Sequence, residues 1–347
     1  ETAAGRLAIV VTEAATNILK HAGEGKILLR TLWSQAGLDG KPLQNWPQGA
    51  VPGIEVLAID SGEGIGDIAL KMVDGTSSAG SYGVGLGAMQ RQSNEFDLYS
   101  QPGDGCLVWM VLWANVDFTD NGCWQIGAVS LPLAGETACG DSWEVAPDGE
   151  ALLVMVADGL GHGPQAALAS LAAVDVVWNN HRLAPGAAIE QAHGALRHTR
   201  GAAVGVARIN VEAGSLNFCG VGNIAGSVEF AGNDHDGSSR SARAHLVSHN
   251  GIVGNAMRRA QEFASPWRTN ALLVMHSDGI NTRWDLSRYP GLTSCHPALV
   301  AAMLYRDFSR ERDDVTVLAV RHRDVSQPAA RSPALATHAN PAQEMLP

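Results

Sequence analysis

The chain contains two nearly identical strand sequences, each followed by the same turn. "ALLVMVADG" occupies residues 151–159 and "ALLVMHSDG" occupies residues 271–279. A short apolar run of this kind predicts a strand buried on both faces, and Asp-Gly favours a turn at its end. The sequences after the two copies differ, whereas internal repeats share similarity over units of about 20 to 50 residues. The match therefore reflects a shared local requirement and not duplication.

Further aspartates lie beside other predicted strands of the second half. Asp158 and Asp278 end the two similar strands, Asp141 lies in "ACGDSW", and Asp313 and Asp314 precede the predicted strand "VTVLAV". We expect these positions to converge at one edge of a layered sandwich. Two carboxylates about 4 Å apart repel by roughly 4 kcal/mol at an effective dielectric constant near 20, so such a cluster requires cations.

The ligand type indicates which cation this would be. Carboxylate oxygens without a nearby His pair or Cys pair favour Mg²⁺ or Mn²⁺ over Zn²⁺. Two such ions about 3.5 to 4 Å apart activate a bridging water and hold a phosphoryl group for in-line attack. The residues alone therefore point to phosphate hydrolysis. A buried strand with an ordinary turn remains a sufficient explanation of either copy taken singly.

Composition limits the other classes of function. The chain has 347 residues, 46% hydrophobic residues and a net charge of -11. This length suits two domains, and the negative charge argues against non-specific binding to nucleic acid or to an anionic membrane. No apolar run reaches the ~20 residues of a membrane-spanning helix, and no signal peptide is recognisable, so we expect a cytoplasmic protein. The five cysteines form no CxxC pair and are expected to be free thiols.

The pattern of helices and strands predicts two domains and a tail. Residues 1–115 read as an α+β domain, and the polar stretch "ANVDFTDNGC" is the expected junction. Residues 120–324 contain more strands than helices, which favours a layered sandwich over a doubly wound parallel sheet. Residues 325–347 are rich in Pro, Ala and Ser without apolar periodicity, so a disordered tail is expected.

Four separated motifs of the second half, "GDSW", "VADGLGHG", "HSDG" and "RDDVTV", occur in an order typical of one family. They resemble the SpoIIE-type, RsbX-like branch of the PP2C-like metal-dependent serine/threonine phosphatases, over about residues 120–323. The resemblance implies an αββα sandwich and a site that holds two Mn²⁺ or Mg²⁺ ions. It also implies the ligands Asp141, Asp158, the Gly159 carbonyl, Asp278 and Asp313, with Asp158 central to catalysis.

Two features near these motifs allow more than one interpretation. His162 in "GLGHGP" invites a general-acid role, but packing beneath the metal loop, or a hydrogen bond to an aspartate, is the preferred interpretation. "GVGN" at residues 220–223 is glycine-rich, yet no helix is predicted after it, so a phosphate-binding loop is rejected in favour of a hairpin.

The first half has its own set of polar and glycine motifs. Glu13, Asn17 and His21 recur every four residues on a predicted helix and share one face, which by itself is typical of a solvated stripe. "IDSGEGIG" places Asp60 at a strand end before a glycine turn. "GVGLG" opens a helix, where backbone NH groups favour phosphate. The three motifs together favour nucleotide binding.

These motifs resemble the N, G1 and G2 boxes of the GHKL (Bergerat-fold) ATPases, in the branch of the RsbT/RsbW-like anti-sigma serine kinases. The resemblance implies that Glu13 is a general base, that Asn17 holds Mg²⁺ with ATP, and that Asp60 binds the adenine. It implies a loop over residues 67–82 that closes on ATP. It also implies a nucleotide site with these further members: His21, Gly62, Gly64, Ile65, Gly83, Gly85, Leu86 and Gly87.

Two positions depart from the GHKL pattern. The chain begins only a dozen residues before Glu13, so the first strand and helix of the family are expected to be missing. Cys106 stands where relatives place a Thr near the adenine. Both departures concern nucleotide affinity and leave the three motifs intact.

The combined prediction is a partner-switching regulator that removes phosphate from phosphoserine or phosphothreonine. The resemblance implies as substrate a STAS-domain protein, either an anti-sigma antagonist or a stressosome component, with a sigma factor as a further possible partner. The alternative is a non-catalytic anti-sigma-type binding protein with a structural metal site. Four carboxylates argue against this alternative, because a purely structural ion does not need so many.

Overall fold

The computed structural model describes residues 2–34, 50–68, 72, 85–120, 122–230 and 242–323. The described residues form two compact units, one from residues 2–33 and 51–120 and the other mainly from residues 122–323. The expected disordered tail at 325–347, Gly83 and most of the expected ATP loop at 67–82 lie outside the described residues.

The part of the first unit that the structure describes contains two helices and four strands. Helix α1 begins at the N-cap Thr2, whose side chain accepts a hydrogen bond from the Gly5 backbone NH. The elements are α1 (Ala3–His21), β1 (Gly25–Trp33), β2 (Pro52–Asp60), α2 (Gly85–Gln92), β3 (Glu95–Ser100) and β4 (Cys106–Trp113).

The four strands form one antiparallel sheet in the order β1-β2-β4-β3. Helix α1 contributes Val10, Ala14 and Ile18 at helical spacing to a core shared with apolar residues of β2, α2, β3 and β4. Glu13 and Asn17 lie beside this apolar stripe, three residues after Val10 and Ala14, and both are half-buried at the border of the core.

The second unit contains three helices and eleven strands within the described residues. The strands are β5 (Trp124–Leu131), β6 (Asp141–Asp148), β7 (Ala151–Gly159), β8 (Ala202–Asn210), β9 (Ser215–Val221), β10 (Ala225–Phe230), β11 (Ala242–Leu246), β12 (Ser248–His249), β13 (Glu262–Pro266), β14 (Leu272–His276) and β15 (Val315–His322). The helices are α3 (Pro164–Asn179), α4 (Pro185–Ala195) and α5 (Pro297–Phe308). Each of the three helices begins with Pro, which fits the first helical position because its missing NH would lack a partner there.

These strands form two sheets that pack face to face. One sheet has the order β11-β10-β14-β15-β5, and the other has the order β12-β9-β8-β7-β6 with β13 beside β9. Helices α3 and α4 cover the second sheet, and α5 packs on β5 and β15 of the first. The second unit is thus an αββα sandwich, the PP2C-like architecture that the sequence predicts.

The first of the two similar strands, β7, shows why its sequence is continuously apolar. Leu152, Val154 and Val156 face the core between the two sheets. Leu153 and Met155 face the core beneath the helices. Because alternate side chains of a strand point to opposite faces, a central strand covered on both sides needs apolar residues at every position.

One local prediction is wrong and one strand was not predicted. The segment "GVGN" is not a hairpin, because β9 before it belongs to one sheet and β10 after it belongs to the other. The strand that was not predicted is β6, which begins at Asp141 and pairs along its full length with β7. Its sequence "DSWEVAPD" contains Pro and three acidic residues, a composition that is unusual for a strand.

None of the helices in the described ranges is both long and apolar enough to cross a membrane. All five cysteines lie in the described residues and are free thiols, as expected.

Candidate active site

The pairing of β6 with β7 places two of the predicted aspartates side by side. Asp141 is the first residue of β6, and its partner in the antiparallel ladder is Asp158, near the end of β7. Directly opposed residues of such a pair have Cβ atoms about 4.5 to 5.5 Å apart. Two negative charges in this arrangement repel each other, so the pair is stable only when one carboxylate is protonated or when a cation binds between them.

The glycine after each similar strand is required by close backbone contact. A Cβ atom at Gly159 would lie 2.0 Å from the Ala166 carbonyl oxygen. A Cβ atom at Gly279 would lie 2.1 Å from the Asp314 carbonyl oxygen. No side chain fits at either position, so each Asp-Gly pair combines an acidic residue with a site of tight packing.

A buried hydrogen-bond network connects Asp141 to the first sheet. The Ser277 hydroxyl donates to the Asp141 carboxylate at 2.6 Å and accepts a hydrogen bond from the Thr316 backbone NH at 3.0 Å. The Thr316 side chain also forms a hydrogen bond with the Asp141 carboxylate. All three residues are buried. Ser277 precedes Asp278 and Thr316 follows Asp313 and Asp314, so this network holds three of the aspartate segments together.

Asn223 provides a second link. Its side-chain amide donates to the Asp278 carboxylate at 2.6 Å and also hydrogen-bonds the Asp158 side chain. The residue belongs to the crossover between the two sheets and therefore reaches both strand ends. It was missed from sequence because "GVGN" was interpreted as a hairpin, and a glycine-flanked Asn between strands was the available signal.

The two consecutive aspartates before β15 differ in their surroundings. Asp314 is buried, and one of its oxygens accepts a hydrogen bond from the Leu133 backbone NH at 2.8 Å. Asp313 is more exposed, and its charge interacts with Asp158 and Asp278. The structure thus brings Asp141, Asp158, Asp278 and Asp313 to one edge, with Asp314 packed behind them.

This concentration of carboxylates changes their protonation. The pKa of Asp141 is raised to about 7, mainly by burial and also by the charge of Asp314, although the hydrogen bond from Ser277 acts in the opposite direction. The pKa of Asp158 is raised to about 8, mainly by burial and also by repulsion from the three neighbouring aspartates. The pKa of Asp313 is raised too, first by burial. Near neutral pH the site therefore retains protons that a bound cation would displace.

The residues present fit a hard divalent cation. The donors are carboxylate oxygens, and the buried second oxygen of Asp314 has no hydrogen-bond partner in the described structure. Within the described ranges, however, no three His, Cys, Asp or Glu side chains are gathered so that they could hold one ion.

The expectation for His162 is corrected. Its side chain is 55% exposed, so it does not pack beneath the loop, and Nδ1 lies 2.5 Å from a carboxylate oxygen of Glu136 and not of an aspartate. Glu136 was not predicted as a site residue. Its carboxylate also lies against Gly163, where an added Cβ would come within 2.6 Å. The pair fixes the loop that follows Asp158.

Arg200 is a further residue that the sequence did not reveal. An added Cβ at Gly161 would lie 3.0 Å from the Arg200 Nη1 atom, so the guanidinium borders the loop after Asp158. The Leu160 backbone NH donates to the Gly201 carbonyl at 3.0 Å and fixes the position of this segment. A lone Arg in a loop carries no sequence signal for such a position.

The first unit also brings predicted site residues together. A Cβ atom at Gly85 would lie 3.1 Å from the Asn17 side-chain oxygen and 3.2 Å from a Glu13 carboxylate oxygen. The Asp60 carboxylate accepts hydrogen bonds from the Gly62 and Cys106 backbone NH groups, at 2.9 and 3.1 Å. The start of α2 thus faces the polar side of α1.

The remaining predicted members of this site lie on the same segments. Gly64 has a φ of +66°, and an added Cβ would lie 1.9 Å from the Gln101 carbonyl oxygen, so glycine is required there. The Ile65 backbone NH donates to the Ser100 hydroxyl at 2.8 Å. His21 is exposed near the end of α1, while Leu86 and Gly87 belong to the first turn of α2.

The second unit combines an αββα sandwich with an edge of four aspartates between its sheets. Fold and site together define a PP2C-type serine/threonine phosphatase. A family model described as "Stage II sporulation protein E (SpoIIE)" matches residues 148–323, just over half of the chain. The chain belongs to the SpoIIE family.

Individual relatives agree with this assignment. The chain is 29% identical over 151 residues to the phosphoserine phosphatase RsbX of Bacillus subtilis (strain 168), which covers 44% of this chain and 72% of RsbX. A crystal structure of RsbX in complex with magnesium has a similar fold, with a TM-score of 0.50 and 22% identity over 57% of this chain and 95% of that one.

A second relative is of a different class. The chain is 33% identical over 108 residues to the serine/threonine-protein kinase RsbT of the same organism, which covers 31% of this chain and 71% of RsbT.

Proposed function

We propose that this protein removes phosphate from phosphoserine or phosphothreonine of a STAS-domain protein in a partner-switching pathway, and that two Mn²⁺ or Mg²⁺ ions serve as cofactor. The convergence of Asp141, Asp158, Asp278 and Asp313 at one edge carries this proposal. The similarity to the phosphoserine phosphatase RsbX, and the magnesium in the related RsbX structure, support the substrate class and the metal.

The ligands of the proposed ions are the four aspartates and the Gly159 carbonyl. Asp158 is the central one, because its carboxylate interacts with Asp141 on its own sheet and with Asp278 and Asp313 at the ends of the other sheet. When bound, a pair of such ions lowers the pKa of water and neutralises charge on a phosphoryl group. Asn223 and Ser277 orient the carboxylates that hold the ions.

Two further residues act on the substrate side of the site. Arg200 is exposed beside the loop after Asp158, and it has no hydrogen-bond or ion-pair partner among the described residues. Its planar guanidinium suits bidentate binding of a phosphate. The Glu136–His162 pair holds the neighbouring loop in place, which we interpret as a positioning role.

Phosphate release from phosphorylated STAS-domain proteins in the presence of Mn²⁺ tests this function. Wild type and Glu144→Gln should release phosphate, and Asp158→Asn should not. Glu144 is a matched control, because it is, like Asp158, a half-buried acid whose pKa is raised by burial, here to about 7, but it lies on β6 away from the four aspartates. Equal rates for wild type and Asp158→Asn would exclude the phosphatase site and favour the non-catalytic binding protein.

We further propose that residues 1–115 form a GHKL-type module that binds ATP with Mg²⁺ and that residues 120–324 form the phosphatase domain. The contact of Glu13 and Asn17 with Gly85, the hydrogen bonds to Asp60 and the similarity to RsbT support this module. In it, Glu13 would take the proton of a substrate hydroxyl, and Asn17 would hold Mg²⁺.

Nucleotide titrations test the module separately from the phosphatase. Calorimetry with ATP and Mg²⁺ should show binding to wild type and weaker binding to Asp60→Asn, while Asp117→Asn serves as control because Asp117 is exposed and remote from the motif. Because a kinase and a phosphatase acting on one residue would only consume ATP, we expect different partners or gating. Dephosphorylation rates measured with and without ATP or ADP distinguish these two cases.

A further inference from the structure

A basic groove lies beside the aspartate edge of the second unit. It contains a cavity of about 560 Å³ that is lined by Val221, His249, Asn250, Met257, Arg258, Arg259 and Gln261. Val221 is buried and Met257 is half-buried, so they form an apolar floor, whereas the two arginines and His249 are exposed. We call this set of residues the basic groove.

The two arginines of the basic groove are unpaired within the part of the chain that the structure describes. Neither Arg258 nor Arg259 has a hydrogen bond or ion pair with any described residue. The nearest acidic residue along the chain, Glu262, is engaged elsewhere, because its carboxylate accepts a hydrogen bond from the Gly186 backbone NH at 2.8 Å. Two unpaired guanidinium groups on a chain with a net charge of -11 form a local anion-binding surface.

Hydrogen bonds fix the chain segment that leads from His249 to Arg258 and Arg259. Gly222 donates its backbone NH to the His249 carbonyl at 2.8 Å, and Ile252 donates to the Ala256 carbonyl at 2.8 Å. Val253 pairs with Ala202 at the start of β8. The groove is therefore formed before a ligand binds, which reduces the entropy lost on binding.

The basic groove is also close to the site. Val221 lines the groove, and Asn223, two residues further along, hydrogen-bonds Asp278. Two residues span at most about 7 Å of chain. A peptide whose one part is bound in the groove would therefore place another of its residues, only a few positions along the peptide, at the aspartate edge.

We infer that the basic groove binds an acidic segment of the phosphoprotein substrate, next to the phosphorylated residue. This rests on the proposed phosphatase function and adds the substrate feature that the enzyme recognises. Carboxylates of the segment would bind the forks of Arg258 and Arg259, and an apolar side chain between them would contact Val221 and Met257. The net negative charge of the chain repels an acidic partner elsewhere, so the groove supplies specificity.

Two synthetic phosphoserine peptides test this inference. They share length and apolar residues, but one carries Asp and Glu beside the phosphoserine and the other carries Asn and Gln. Wild type with Mn²⁺ should have a roughly 2- to 30-fold higher kcat/KM for the acidic peptide, as expected for two partly exposed ion pairs. Added salt should reduce this preference.

The double variant Arg258→Gln/Arg259→Gln should lose the preference through a higher KM for the acidic peptide, with an unchanged kcat. Hydrolysis of p-nitrophenyl phosphate should not change, because this substrate has no flanking residues. The control is Arg182→Gln/Arg288→Gln, which removes the same charge from exposed positions outside the groove and should keep the preference. Equal kcat/KM values of wild type for the two peptides, or a preference retained by the groove variant, would overturn the inference.

Binding of the unphosphorylated acidic peptide, followed by fluorescence anisotropy, separates this inference from the proposed function. If wild type hydrolyses neither peptide, the phosphatase proposal fails, and anisotropy alone then decides about the groove. Binding by wild type and by the control, but not by the groove variant, would support the groove. Binding by none of the three, or by all of them equally, would refute it.

Discussion

Neutralising Asp158 should change both the pH dependence of stability and the response to metal. The folded metal-free protein holds a proton on Asp158 up to a pKa of about 8, whereas the ordinary pKa of an aspartate in the unfolded chain is 3.8. Between these values the folded state binds more protons than the unfolded state. The free energy of unfolding of metal-free wild type therefore falls as the pH rises through this window.

The structure gives the size of the effect. Each pH unit inside the window costs about 1.36 kcal/mol per retained proton, so Asp158 contributes at most about 2 to 3 kcal/mol of loss between pH 6 and pH 8. The value is an upper limit, because the neighbouring aspartates titrate together with Asp158 and share the repulsion. Asp158→Asn removes this contribution and should flatten the decline.

Urea unfolding in EDTA at pH 6, 7 and 8 measures the decline, and the same series with Mn²⁺ measures the metal response. Mn²⁺ should stabilise wild type most at pH 8, because the ion replaces the protons of the carboxylates. Asp158→Asn should show a flatter pH dependence and little response to Mn²⁺, and its rate of phosphate release should fall by at least about 100-fold.

Glu144→Gln distinguishes the effect of losing a metal ligand from the effect of neutralising a partly buried acid. Burial raises the pKa of Glu144 to about 7, so its neutralisation should also flatten the pH dependence. Its Mn²⁺ response and its phosphatase activity should equal those of wild type. A metal site at Asp158 would be excluded if Asp158→Asn kept the steep pH dependence and the Mn²⁺ stabilisation, or if Glu144→Gln lost the Mn²⁺ response as well.

Three further outcomes are expected from the contacts of the second unit. Asn223→Ala removes the amide that connects the Asp158 and Asp278 carboxylates. The Mn²⁺ concentration for half-maximal activity should therefore rise roughly 10- to 100-fold, and an unchanged metal titration would contradict this. Gly159→Ala places a Cβ atom 2.0 Å from the Ala166 carbonyl oxygen and should lower the Tm measured by calorimetry by several degrees. In the control Gly194→Ala the added Cβ atom has no neighbour within 4 Å, so Tm should stay unchanged or rise slightly. Arg200→Ala should raise KM for p-nitrophenyl phosphate about 10-fold or more through loss of a phosphate contact, and a wild-type KM would exclude that contact.

Much of the fold follows from local sequence. Continuous apolar runs predict the central strands of the sandwich, and Pro at the helix starts predicts where α3 and α5 begin. Three edge strands of the second unit, β6, β11 and β13, were not recognised, because they have mixed polar sequences that are stabilised by pairing with neighbours and not by their own propensity.

The sequence by itself determined which residue types are available for chemistry and where strands deliver them. The order of the four motifs around Asp141, Asp158, Asp278 and Asp313 contains this information, because a buried strand that ends in Asp-Gly fixes both a packing site and a carboxylate.

Only the tertiary structure decided how these carboxylates are connected. The pairing of β6 with β7, the reach of Asn223 between the two sheets and the burial that raises the pKa of Asp158 depend on contacts between segments far apart in the chain. The basic groove around Arg258 and Arg259 likewise exists only because the end of β9 meets the turn that follows His249. Local sequence encodes secondary structure, whereas electrostatic fields and cavities arise from the summed positions of distant residues.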